Sequence, residues 1–327
     1  MSEVSKARPA GSPPLAERPW FLPAVLVITL LFWGSAFVAI PIALRTVEAQ
    51  AVIAGRLLLS TLVFLPFIAR DWRKTIRPGL KKDGKLFLAM AFLGVTLYLL
   101  ALTYGQRTVG AGQTSLIVNL TPLMTGAFAT IFLKETFHPR LIVGGLVALG
   151  GVGLLITSRG GSFSLDPNSL LILGATVSAS LFYIIQRSLS ARYSALTLSA
   201  LSVVAGTFLY LPFSAGAWEG FGQASLPSLV AIAYLGLGCG VVPYVGWVYI
   251  LSRMPAAKAT LFLYFVPVIS TTLGWLILGE QVTVIFLASG AIIILGVIIG
   301  NGVIKRERLS RKKLPPLPAR KDCLDPR

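Results

Sequence analysis

Long apolar stretches alternate with short polar connections along most of the chain, and the apolarity is continuous within each stretch, without the period-two alternation of a membrane β-strand. Ten stretches meet the length of about 17–25 mostly apolar residues that a spanning helix needs: 24–44, 47–69, 86–104, 112–133, 139–157, 168–188, 195–214, 228–251, 257–278 and 283–303. Gly, Pro and charge mark the connections, as in RDWRKTIRPGLKKDGK, KETFHPR and SRGGSFSLDPN. The pattern predicts an all-α integral membrane protein of ten transmembrane helices. Residues 1–22 are expected to form a disordered N-tail rich in Pro and small polar residues. Residues 304–327 read as a basic C-tail.

Composition agrees with that solvent. Of 327 residues, 55% are hydrophobic and 13% charged, against about 25% charged in a soluble domain. The net charge of +17 is concentrated in short pieces that flank the apolar runs, which is an orientation signal and excludes nucleic acid as the expected partner. With the N-terminus in the cytosol, Arg45, Arg107 and Arg159 fall outside, Arg56 lies within a span, and the other 25 of the 29 Lys and Arg fall inside. Both termini are therefore expected to be cytosolic, in a multi-pass protein of the plasma (inner) membrane. The basic tail is placed along anionic headgroups. Cys239 and Cys323 lie in different surroundings, so neither a disulfide framework nor a metal site is expected.

The chain repeats itself. NLTPLMTGAFATIFLKE (119–135) returns 145 residues later as YFVPVISTTLGWLILGE (264–280), with Pro122 on Pro267 and Glu135 on Glu280. The same offset puts Ser35 on Ser180, Gly145 on Gly290 and Gly151 on Gly296, while FLPF (64–67) and YLPF (210–213) match at 146. Two five-helix units result, 24–157 and 168–303. Because five is odd, the second unit crosses the bilayer in the opposite sense, and inverted repeats are the architecture of alternating access around a midplane site.

The residues FWGSAFVA (32–39), AGRLLLSTLVFLPF (54–67) and the paired P-x12-E segments resemble the EamA-type members of the drug/metabolite transporter superfamily over nearly the whole of 24–303. The resemblance implies a ten-helix basket that moves small metabolites, often exporting amino acids or related compounds. One departure stands out. The short four-helix multidrug relatives carry a glutamate in their first helix, whereas AVLVITLLFWGSAFVAI has no carboxylate, which puts proton coupling by that route in doubt.

The expected function is a secondary transporter, with drug-like cations or nucleotide-linked metabolites as alternative cargo. A membrane enzyme is disfavoured, since no paired carboxylates or Ser/His pair lie at membrane depth, and a scaffold leaves the repeats unexplained. No cofactor is implied, and a monomer or homodimer is expected. The residues expected along the substrate path are Trp33, Ser35, Arg56, Tyr98, Asn119, Tyr183, Tyr244 and Tyr264. Arg56 is the one ionisable side chain well inside a span, roughly 13 Å along its helix, and suits a substrate carboxylate. Pro122 and Pro267 are expected to kink their helices and free the carbonyls of Val118 and Leu263. Glu135 and Glu280 are expected as interfacial carboxylates, either gating or fixing helix depth. His138 reads as a solvated loop residue.

Overall fold

The computed structural model describes residues 18–105, 108–109, 114, 117–136, 138–157, 167–278 and 284–301. Residues 1–17 of the expected N-tail, the whole C-tail and Glu280 lie outside the described residues, while residues 21 and 22 of that expected tail already belong to the first helix. Among the described residues the chain is all helical. In order come α1 (Phe21–Ala43), α2 (Ala49–Asp71), α3 (Arg77–Ala91), α4 (Tyr98–Gly105), α5 (Thr121–Leu133) and α6 (Pro139–Thr157). The second half holds α7 (Ser169–Leu189), α8 (Ala195–Tyr210), α9 (Leu226–Ala233), α10 (Val242–Arg253), α11 (Ala256–Leu261), α12 (Phe265–Leu278) and α13 (Val284–Asn301). Six helical runs are long and apolar enough to cross a membrane, and three shorter apolar helices accompany them. Large apolar side chains face outward, Val284 at 82% and Leu226 at 73% exposed. In water such a surface would aggregate; in lipid it is the natural solvent face.

Two expectations are corrected. The basic stretch 70–85 is not a loop: π-helical turns over Trp72–Ile76 lead straight into α3, and the bend falls at Asp83 (φ −121°, ψ 16°). Lys and Arg are good helix formers whose stems lie on apolar surface while their heads reach water, so charge alone does not end a helix at an interface. Nor is Pro122 interior to a helix. It sits in the first turn of α5, after a turn at Asn119 and Leu120, where its missing N–H removes no helical bond. The carbonyl of Val118 is satisfied locally, accepting from the Thr121 hydroxyl at 2.6 Å. The second copy breaks in the same place, as a 3-10 turn over Phe262–Tyr264 ahead of Pro267 in α12.

Rare geometry also recurs. π-helical turns occupy Phe92–Leu97 between α3 and α4, and Tyr234–Cys239 between α9 and α10. Such turns leave carbonyls without helical partners, and hydroxyls on neighbouring helices serve them: Ser178 donates to Leu93 at 2.7 Å, and Ser60 to Gly236 at 2.7 Å.

Helices α2 and α8 pack antiparallel. Ala54 and Tyr210 share one core cluster and Phe64 and Ala200 the next, while Thr61 donates to Thr207 at 2.8 Å between them. Helices α6 and α13 also run antiparallel, close enough that a methyl group on Gly151 would strike Ser289 and Ile293, and one on Gly296 would strike Gly144 and Ala148. Polar contacts gather at the two ends of the bundle. Asp83 meets Arg192 and Tyr193, and Glu135 meets Arg187 and Ala256. At the other end Thr46 meets Ser225 and Ser228, and Asn168 meets Thr108.

Candidate functional site

Arg56 projects from α2 at the level where that helix touches the π-helical turns of Tyr234–Cys239. The contact is tight: a Cβ on Gly236 would lie 2.9 Å from the Arg56 carbonyl oxygen. The guanidinium is within electrostatic range of Tyr98, Tyr244 and Cys239, and Tyr183 of Tyr98 and Tyr244. These three tyrosines stand on α4, α10 and α7, so helices from both halves of the chain converge on one arginine. Arg56 and the tyrosines lie deep among the helices yet each keeps some accessible surface. Among the described residues Arg56 has no carboxylate within ion-pair distance. A half-buried cation without an anion is costly and suits a site whose ligand brings the negative charge.

An aromatic wall adjoins the cluster. Trp247 packs between Trp33 and Tyr183, with ring centroids at 5.3 Å and 5.2 Å. It is fully buried, and its indole N–H has no partner among the described residues. Ser35 lies on the Arg56 side of Trp33. Its hydroxyl bonds the Phe32 carbonyl at 3.0 Å and pairs with the Tyr234 hydroxyl at 2.6 Å, while the Cys239 thiol donates to the same carbonyl at 3.2 Å. The structure thus brings together Trp33, Ser35, Arg56, Tyr98, Tyr183 and Tyr244. Tyr264 stands apart, fully buried against the glycine face of α6 near Gly145. Asn119 is half-buried in the turn before α5, where Thr176 and Ser180 of α7 donate to the Ile117 and Thr121 carbonyls.

Glu135 closes one end of the bundle. Lys134, in the left-handed region at φ 53°, terminates α5 and turns the carboxylate inward. One oxygen of Glu135 accepts from the Arg187 guanidinium and from the Ala256 amide, both at 3.3 Å, while Arg187 donates to the Leu251 carbonyl at 2.5 Å. One ion pair therefore fastens the ends of α5, α7 and α10 to the first residue of α11, where the helix dipole favours a negative charge. His138 is exposed beyond this clasp.

Sequence reasoning missed Arg187, which reads as one more interfacial charge until the fold brings it to Glu135. It also missed Ser60, Thr61, Ser178 and Thr207, because hydroxyls inside apolar helices look like fillers. The repeat offset of 146, which places Thr61 on Thr207, was the available signal.

Comparison with known proteins sharpens the picture. The model of the EamA-like transporter family matches twice, over residues 21–157 and 167–301. The Bacillus subtilis uncharacterized transporter YdfC is 32% identical over 266 residues, spanning 81% of this chain and 86% of that protein. A probable terminal-alkyne amino-acid exporter of Streptantibioticus cattleyicolor is 28% identical over 296 residues, spanning 90% of this chain and 97% of its own. A crystal structure matches with a TM-score of 0.72 at 18% identity, over 86% of this chain and 96% of the other.

Proposed function

The chain belongs to the EamA-like transporter family, and on that premise we propose that it is a secondary transporter, working as an exporter, that moves amino acids or related small metabolites by alternating access between two inverted five-helix repeats. The observation that carries this reading is the Arg56 cluster, which lies at depth between the two family-matched halves. At the offset relating FLPF to YLPF, Tyr98 falls on Tyr244, and both tyrosines are within electrostatic range of the guanidinium.

Inversion is supported by what meets across the centre. Thr61 bonds its own counterpart Thr207. Gly151 faces Ser289 and Ile293, while Gly296, its counterpart at offset 145, faces Gly144 and Ala148, the counterparts of those partners. Reciprocal contacts between antiparallel helices are what a twofold axis in the membrane plane produces. The ten-crossing topology is supported by the bundle ends: residues assigned to the inner side contact one another, as do those assigned to the outer side. The chain then sits in the plasma membrane with both termini cytosolic, and the Glu135 clasp shuts the inner mouth. The relative named as an exporter supports amino-acid-like cargo.

The test is uptake and efflux of a labelled metabolite panel, amino acids included, in proteoliposomes with and without a pH gradient. Exchange that needs no gradient is expected, since no carboxylate among the described residues stands beside Arg56. Absence of movement for every solute would overturn the transporter reading.

A further inference from the structure

Resting on that reading and narrowing its cargo to the related metabolites, we propose that the cargo occupies the Arg56 site as a net anion: a carboxylate with an apolar or aromatic body whose amine, where it has one, is blocked, and not a free, zwitterionic amino acid. Three observations converge. First, charge balance requires it. The site holds one guanidinium, and the described carboxylates, Glu48, Asp71, Asp83, Glu135 and Glu219, lie at helix ends, at the basic bend or in connections. Asp83 and Glu135 are already engaged by Arg192 and Arg187. A carboxylate neutralises the site; a zwitterion leaves it cationic while the two halves rearrange around it in a low-dielectric interior. An ammonium about 6 Å from the guanidinium would weaken binding roughly hundredfold at the effective dielectric of protein sites.

Second, donors of the chain itself already serve carbonyls freed at irregular turns: Leu93 receives Ser178, Gly236 Ser60, Phe32 both Ser35 and Cys239, and Val118 Thr121. Third, the wall beside the site is apolar and backed by Trp247, which is fully buried between Trp33 and Tyr183. What the wall presents is apolar surface, with the Tyr98 and Tyr244 hydroxyls as donors beside Arg56. Donors and a cation on one side and hydrocarbon on the other describe a site for an amine-blocked carboxylate.

The experiment uses the full-length protein in proteoliposomes and three probes: phenylalanine, N-acetylphenylalanine (anion, no ammonium) and phenylalanine methyl ester (ammonium, no carboxylate). N-acetylphenylalanine is expected to drive counterflow and raise the melting temperature at concentrations at least tenfold below phenylalanine, with the ester inert. Arg56→Gln should remove the preference, and Arg56→Lys should keep part of it; the lysine variant also decides the matter if the glutamine variant does not fold. Equal or better performance by phenylalanine or the ester overturns the proposal and leaves the transporter reading intact. Inactivity of all three probes also overturns it, and counterflow of the wider panel then decides whether transport itself survives.

Discussion

Residues 21–157 and 167–301 carry the same frame and different chemistry. Frame positions agree: Thr61 with Thr207, Gly151 with Gly296, Pro122 with Pro267, and π-helical turns in both. The arginines of the site and of the clasp do not. At offset 146, Arg56 corresponds to Ser202, whose hydroxyl bonds the Leu198 carbonyl of its own helix at 2.7 Å. At offset 145, Arg187 of the Glu135 clasp corresponds to Ile42. Under the proposed alternating access, the matched set would keep the two halves able to exchange conformations, and the unmatched set would make the exchange useful, because a perfectly symmetric protein would bind and gate identically on both faces. The contacts at the two bundle ends differ in the same way: a charge-assisted clasp at the Glu135 end, and hydroxyl bonds between Thr46, Ser225 and Ser228 at the other.

The strongest way to break this comparison is to crowd the frame. The counterparts Gly151→Leu and Gly296→Leu each drive a side chain into the backbone of the facing helix. Because overpacking costs about 1–3 kcal/mol even where neighbours are side chains that can shift, both variants should lose most of their folded yield in detergent. Equal losses are expected, measured by size-exclusion fluorescence. A large loss at one position alone would break the twofold equivalence.

Next come the unmatched residues. Arg56→Gln should lower exchange at least tenfold with little change in melting temperature, while Ser202→Ala should leave exchange within about twofold, since its hydroxyl returns to its own helix. Similar defects in both would mean that position, and not charge, is what counts. At the clasp, Arg187→Gln removes the cation from a carboxylate only 15% exposed. A cysteine placed at Ala257, buried beside the clasp, should then label severalfold faster from the side proposed as cytosolic in a background lacking both native cysteines, Cys239→Ser with Cys323→Ser. Unchanged labelling would show that the clasp does not hold this mouth shut.

Much of the frame is legible in the chain because lipid imposes strong rules on it. Apolar length marks the helices, and Pro and Gly at a fixed offset mark the duplication. Local geometry is harder to read, because neighbours decide it. Pro66 of FLPF continues inside α2, whereas Pro212 of YLPF opens a 3-10 turn over Leu211–Ser214 that ends the helix. The residues beyond each proline account for the difference: Ile68 and Ala69 extend the first helix, while Ser214 donates back to Leu211 and Gly216 takes φ 81° in the second copy. The site is legible in its parts but not in its assembly. Arg56 and the intramembrane tyrosines stand out by residue type; that they converge, that Tyr264 does not join them, and that Arg187 meets Glu135 depends on helix rotation, which no single span encodes.

The finest probe is the pair on the proposed axis. Thr61 donates to Thr207, which donates in turn to Val203 at 2.7 Å, so the chain of hydroxyls ends on a backbone carbonyl of α8. Thr61→Val leaves Thr207 its own donor bond and removes one it accepted. Thr207→Val leaves the Thr61 hydroxyl without an acceptor in a buried position. Interhelical hydrogen bonds within membranes are worth about 0.6 kcal/mol on average, so each variant should shift unfolding by about that amount, with Thr207→Val the larger because it strands a donor. The double variant should cost less than the two singles added, since valines of matching shape pack where the hydroxyls met. Additive losses in that cycle would mean the two threonines do not depend on each other, and the central contact between the halves would lie elsewhere along α2 and α8.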